Sequence, residues 1–261
     1  MQRRELILGS LGALIPSLVR AAPCPPSPVA TIGGNSPTTL CATTAGYSTD
    51  FATAESPLSD GGTWRQGLAN GLDWTNVNSG LASDGATHVA FGTQSPHSGA
   101  PYDDSICCLA GFPSDHFVQA TMYDGGGVGP TPEVELLLRA SISAHSTIGY
   151  EVDILHSGRV FLAQWLGSQG SYDQWPTPFT KNVAIRNGAA WRAQIVGNLL
   201  SVTCDAKPVV TNFDITKFPT GGSRPAPTGS PGIGFWTDRL GDQRLQTNRR
   251  FAWSNFSAGG L

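Results

Sequence analysis

The run Trp191-Arg192-Ala193-Gln194-Ile195-Val196, Gly197-Asn198, Leu199-Leu200-Ser201-Val202-Thr203-Cys204, Asp205-Ala206-Lys207, Pro208-Val209-Val210 constrains the fold of this chain more than any other. Apolar and polar residues alternate on either side of two tight turns, and a period of two is that of a strand with one buried face. A helix needs an apolar period near 3.6, which this run lacks. Three strands on short turns form an antiparallel meander. Such a meander buries its apolar face only with further strands and a second layer.

The same texture recurs upstream. His116 to Tyr123 is bounded by Pro113-Ser114 and by Asp124-Gly125-Gly126-Gly127. From Glu133 to Ile142, the residues Val134, Leu136, Leu138, Ala140 and Ile142 share one face, and Glu133, Glu135, Leu137, Arg139 and Ser141 the other. From Ile148 to Leu155, Tyr150, Val152 and Ile154 oppose Glu151, Asp153 and Leu155, and Ser157-Gly158 then turns into Arg159 to Trp165. The best helical candidate beyond the N-terminus is a short turn near Arg65 to Asn70. Only 13% of residues are charged, while 32 Gly and 19 Pro punctuate 261 residues, so solvated helix faces are few and turns are many. The expected class is all-β, with 39% hydrophobic residues to fill a core. A net charge of −3 offers no basic surface to phosphates, which argues against nucleic acid as a partner.

The N-terminus has a different character. Arg3-Arg4 precedes an apolar run from Leu6 to Val19, ending at Arg20-Ala21-Ala22. A charged start, a short apolar stretch and small closing residues make up an export signal, and the paired arginines resemble the twin-arginine type. The run is too short, with Pro16 inside it, to reach the roughly 20 residues a membrane span needs. The expected organisation is a signal at 1–21, a Pro/Thr/Ser-rich linker or strap at 22–47, and one domain at 48–261. The mature protein is then periplasmic or extracellular, with no membrane span. An oxidising compartment permits disulfides among Cys24, Cys41, Cys107, Cys108 and Cys204. Cys24 with Cys41, and Cys107 or Cys108 with Cys204, are candidate pairs. The odd number leaves at least one thiol over.

The meander WRAQIVGNLLSVTCDAKPVV resembles the strand–turn–strand–turn–strand of concanavalin A-like, laminin-G-like jelly rolls, with Ala206 where their turn usually has glycine. Pro231-Gly232-Ile233-Gly234-Phe235-Trp236 and Phe251 to Gly259 are similar to the late and final strands of that superfamily. The final strand would pair with an opening strand around Asp50-Phe51. The resemblance spans roughly 48–260 and implies a jelly-roll sandwich of two antiparallel sheets. It covers lectins, glycan-binding modules and glycan-cleaving enzymes alike, and so implies a polysaccharide or glycan partner without choosing between binding and cleavage.

Three constellations carry candidate chemistry. Glu151-Val152-Asp153-Ile154-Leu155-His156 resembles the Glu-x-Asp-x-x-Glu strand of laminarinase-type glycosidases. Glu151 and Asp153 project together from one face, and His156 stands where that family has its acid/base glutamate. Glu135 and Arg139, on the face of the preceding strand, would neighbour them if the two strands pair. Trp165, Tyr172 and Trp175 cluster around a loop, and aromatic rings suit the apolar faces of sugars. A polysaccharide lying across these residues is the expected ligand, cleavage by Glu151, Asp153 and His156 the alternative, and a structural or adhesive envelope role the third reading. Asp103, Asp104 and Asp124 offer hard oxygen ligands on loops, the donor set of a structural calcium. The sequence requires no other cofactor: it has no HExxH and no GxSxG, and no Lys-Ser/Thr follows Gly125–Gly129.

Overall fold

A computed structural model describes residues 46–67, 75–93, 104–168, 171–176, 179–180, 182–218, 228–236 and 249–261. The expected signal, nearly all of the strap, Cys24, Cys41 and Asp103 lie outside the described residues. The described chain is built of strands: β1 Gly46–Thr49, β2 Arg65–Gln66, β3 Val77–Leu81, β4 His88–Gly92, β5 Ser105–Cys108, β6 His116–Asp124, β7 Glu133–Ser143 and β8 Ser146–Leu155, continuing with β9 Val160–Ser168, β10 Tyr172–Gln174, β11 Ala190–Val196, β12 Leu199–Cys204, β13 Lys207–Asp214, β14 Ser230–Trp236 and β15 Phe251–Gly260. Among the described residues a 3-10 turn covers Ile215–Lys217. Arg65–Gln66, expected to open a helical turn, is instead a short strand on the edge of a sheet.

The strands form two antiparallel sheets, the architecture of a jelly-roll sandwich. One runs β13-β12-β11-β6-β15-β4-β3, with β1 also on β15, and the other runs β10-β9-β8-β7-β14-β5-β2. The meander is present as read: Trp191 faces Cys204 across β11–β12, and Cys204 faces Lys207 across β12–β13. The last strand pairs with the first, Gly259 opposite Gly46, so the opening strand lies just before Asp50 and begins inside the segment read as strap. Between the sheets Trp191, Trp253, Phe51, Phe235 and Phe251 are fully buried with Val134, Leu136, Leu138, Tyr150, Val152 and Ile154. Burying one such side chain is worth about 1.5–3 kcal/mol, so this layer holds the sheets together. Trp253 also spans it, donating its indole N–H to the carbonyl oxygen of Glu135 at 3.2 Å.

The alternation of β7 does not hold along its whole length. Its pairing with β8 shifts register between Leu138 and Ser141, and Arg139 there has φ +49°. This β-bulge moves the residues beyond it to the opposite face. Ala140 and Ile142, expected beside Leu136, instead join Leu137, Ile106, Cys108 and Trp165 in a second apolar cluster on the outer face. The expected bridge to Cys204 is absent: Cys107, Cys108 and Cys204 are all buried free thiols. Adjacent residues of β5 point to opposite faces, Cys107 into the core and Cys108 outward, while Cys204 belongs to the other sheet.

Candidate functional site

The outer face of the β10-β9-β8-β7-β14-β5-β2 sheet carries a groove of about 360 Å³. Strand periodicity builds its floor. In β8, Val152 and Ile154 face the core, so Glu151 and Asp153 face outward. In β7, Glu133 and Glu135 do the same, and Glu135 lies directly opposite Asp153 across the strand pair. Asp104, just before β5, completes a set of five carboxyl groups. Carboxylate oxygens of Asp104, Glu133 and Glu135 lie within 4.8 Å of one another. Among the described residues lining the groove Arg159 is the one cation, its guanidinium 4.7 Å from the ring of Phe161.

Burial governs the chemistry of these acids. Glu135, Glu151 and Asp153 are 1%, 5% and 3% exposed, so ionising them costs solvation that little in the groove returns. Loss of water, followed by repulsion from neighbouring carboxylates, holds Glu133, Glu135 and Glu151 well above the ordinary glutamate range. Burial pushes Asp153 up to about 7 against the pull of its hydrogen bonds. Trp165 Nε1 donates to Glu151 Oε2 at 2.9 Å, and Gln174 Nε2 donates to Asp153 Oδ2 at 3.2 Å. Among the described residues no donor reaches Glu135 Oε2, Glu151 Oε1 or Asp153 Oδ1.

Aromatic side chains wall the groove: Trp165, Tyr172, Phe161 and Trp236. Tyr172 is 39% exposed and lies against Trp165, ring centroids 5.2 Å apart. The expected residues Glu151, Asp153, Glu135, Trp165, Tyr172 and Asp104 therefore come together. Four others do not. Trp175 is odd in step with Tyr172 and Gln174, so it turns to the inner face and packs on Phe213 and Phe218. Arg139 is swung away by the bulge and binds Ser114 O, Asp115 Oδ1 and Gly197 O at 2.8, 3.1 and 2.8 Å. His156 lies beyond the end of β8, edge-on to Phe251 and 3.4 Å from Asp124 Oδ1, so it is not the missing acid beside Glu151. Asp124 also accepts from Gly126 N at 2.9 Å, and it is not among the carboxylates that converge on Asp104.

Glu133 was visible in sequence as a face-mate of Glu135, and cross-strand pairing is the signal that places it in the groove. Gln174, Phe161 and Arg159 gave no signal of their own. Trp236 is half-buried and lines the groove because it ends β14 one step beyond inward-facing Phe235.

No protein-family profile matches the chain, and no curated protein matches it. Solved structures similar to it include the carbohydrate-binding module CBM66 from Bacillus subtilis, at 11% identity and TM-score 0.44 over 78% of this chain and 95% of that one. A glycoside hydrolase family 16 endo-glucanase from Bacteroides ovatus is similar at 14% identity and TM-score 0.46, over 81% and 99%. The GH43 protein BlXynB from Bacillus licheniformis is similar at 9% identity and TM-score 0.49, over 82% of this chain and 39% of that one.

Proposed function

We propose that the outer groove binds a glycan, with one sugar ring laid on Tyr172 beside Trp165 and its hydroxyls donated to Asp153 and Glu151. The observation that carries this reading is an exposed aromatic face next to a row of buried acceptors. A sugar ring presents apolar C–H faces and a rim of hydroxyl donors, and this groove complements both. With one arginine among its described lining residues, the groove offers little to pair with uronate or sulfate groups, which favours neutral or amino-sugar glycans. The export signal read at 1–21 puts that encounter outside the cytoplasm. Among the described residues no helix is long and apolar enough to cross a membrane.

Glycan-array binding and calorimetry on the mature chain test the proposal. Tyr172→Ala should weaken binding at least tenfold at a modest cost in stability, because the ring sits at the surface, outside the core between the sheets. Equal affinity for Tyr172→Ala and wild type, or no binding across neutral plant, algal and bacterial polysaccharides, would overturn it and leave a structural role.

Cleavage is the second reading, favoured by neighbouring carboxyls that burial holds above their ordinary range. A glycosidase needs one protonated and one ionised carboxyl across the scissile bond. Glu151 would serve as nucleophile or base. The protonated partner would come from across the strand pair, at Glu135 or Glu133, instead of from His156. Reducing-sugar release abolished by Glu151→Gln would support this reading, and binding with no release from any bound glycan would refute it.

A further inference from the structure

We propose that Asp104, Glu133 and Glu135 form a binding site for one divalent cation of the calcium type on the floor of the groove. Their carboxylate oxygens converge within 4.8 Å, a spread that a single Ca²⁺ spans at its usual oxygen distances of about 2.3–2.6 Å. Glu133 and Glu135 stand at alternate positions of β7, and Asp104 immediately precedes β5, joined to β7 through β14, with its carbonyl oxygen held by Thr75 N at 3.0 Å.

A second observation comes from Glu151, which is not one of the three. Its side chain is 95% buried, and among the described residues no donor reaches its Oε1 or the Oε2 of Glu135. Buried acceptors are nearly always satisfied, and each orphan costs about 1–3 kcal/mol. Two such oxygens beside a three-carboxylate cluster point to a positive ligand. The groove's own cation does not fill that role, since Arg159 lies over Phe161. Backbone packing preserves the space: Gly234 of β14 sits opposite Glu135, and a Cβ there would fall on its Oε2. Carboxylate-only donors select a hard cation, Ca²⁺ or Mn²⁺, over Zn²⁺ or Cu²⁺. The set shares Asp104 with the one expected from sequence and takes its other two ligands from β7.

The site stands independently of the glycan reading. The mature chain, stripped with EDTA, is titrated with CaCl₂ by calorimetry and with Tb³⁺ by luminescence excited through the groove tryptophans. Saturable one-to-one binding is expected, with a Tm rise of about 5–10 °C at Ca²⁺ a hundredfold above its Kd. Asp104→Asn and Glu135→Gln should each weaken Ca²⁺ at least tenfold while keeping a native circular dichroism spectrum in EDTA, and Asp124→Asn should bind as wild type. Absence of calorimetric heat, terbium luminescence and Tm shift in wild type overturns the proposal, as does unchanged affinity in the Asp104→Asn, Glu135→Gln double variant. Tyr172→Ala should keep its Ca²⁺ affinity by calorimetry, so failure of either reading leaves the other standing.

Discussion

Asp205 and Ala206 turn the chain from β12 into β13 with φ of +49° and +62°. Two consecutive left-handed residues give the turn whose twist matches that of the flanking strands. Asp205 makes the conformation worthwhile: its carboxylate accepts from the backbone N–H of Ala190 at 2.9 Å and pairs with Arg186. Ala206 contributes only strain, because its Cβ opposes a left-handed backbone by roughly 1–2 kcal/mol. Glycine removes that strain and returns part of the gain as unfolded-state entropy. Ala206→Gly should therefore stabilise the protein by about 0.5–1 kcal/mol, read as a higher urea midpoint at constant slope. An unchanged or lower midpoint would show that the turn is not strained at this position.

At the scale of the strand, the approach of β14 to β7 decides how the site is built. Gly232 and Gly234 alternate with Ile233 and Phe235, so from Gly232 until Trp236 at its end β14 presents side chains to the core and only glycines to the outer face. Gly234→Ala should cost roughly 1–3 kcal/mol, because its new methyl competes with the Glu135 carboxylate for one space. The same change made on Glu135→Ala should cost at least about 1 kcal/mol less, since the competing group is gone. A thermal-melt double-mutant cycle with no coupling would place the clash elsewhere. Elements also decide what could be read beforehand. β8 was legible because its alternation is unbroken, and Glu151 and Asp153 stand where period two puts them. Beyond Leu138, β7 was not, because a bulge depends on the partner's register and leaves the apolar pattern intact. Arg139 was misplaced for that reason. Its bulge is pinned by a distant residue, His116, whose Nε2 accepts the Arg139 backbone N–H at 3.2 Å while Nδ1 donates to Pro113 O at 2.7 Å. Trp175 was misplaced by proximity in sequence, where parity along β10 was the deciding quantity.

For the whole molecule, buried acids in the groove and a buried base near the bulge give stability two opposed dependences on pH. His116, buried and neutral, is pushed down from 6.5 to about 4, chiefly by loss of water. Between those values the unfolded chain holds more protons than the folded one, so stability falls as pH drops from about 6.5 towards 4. Asp153 acts in the other direction. Its folded value near 7 exceeds the ordinary 3.8, so from about pH 4 to 7 the folded protein holds the extra proton. Its contribution is complete below pH 4 and is lost as pH rises through 7, a change of up to about 4 kcal/mol for a shift of this size. Glu133, Glu135 and Glu151, raised in the same sense, reinforce it. Because both trends act at once, a single melting curve against pH mixes them, and the difference between two proteins separates them. Asp153→Asn keeps His116 and removes the titrating carboxyl. Measured in EDTA from pH 4.5 to 8, its Tm relative to wild type should climb steadily, below or near wild type at pH 4.5 and above it at pH 8. A difference that stays flat across that range would mean that Asp153 ionises as readily in the groove as in water, and that the groove is wetter than its burial implies.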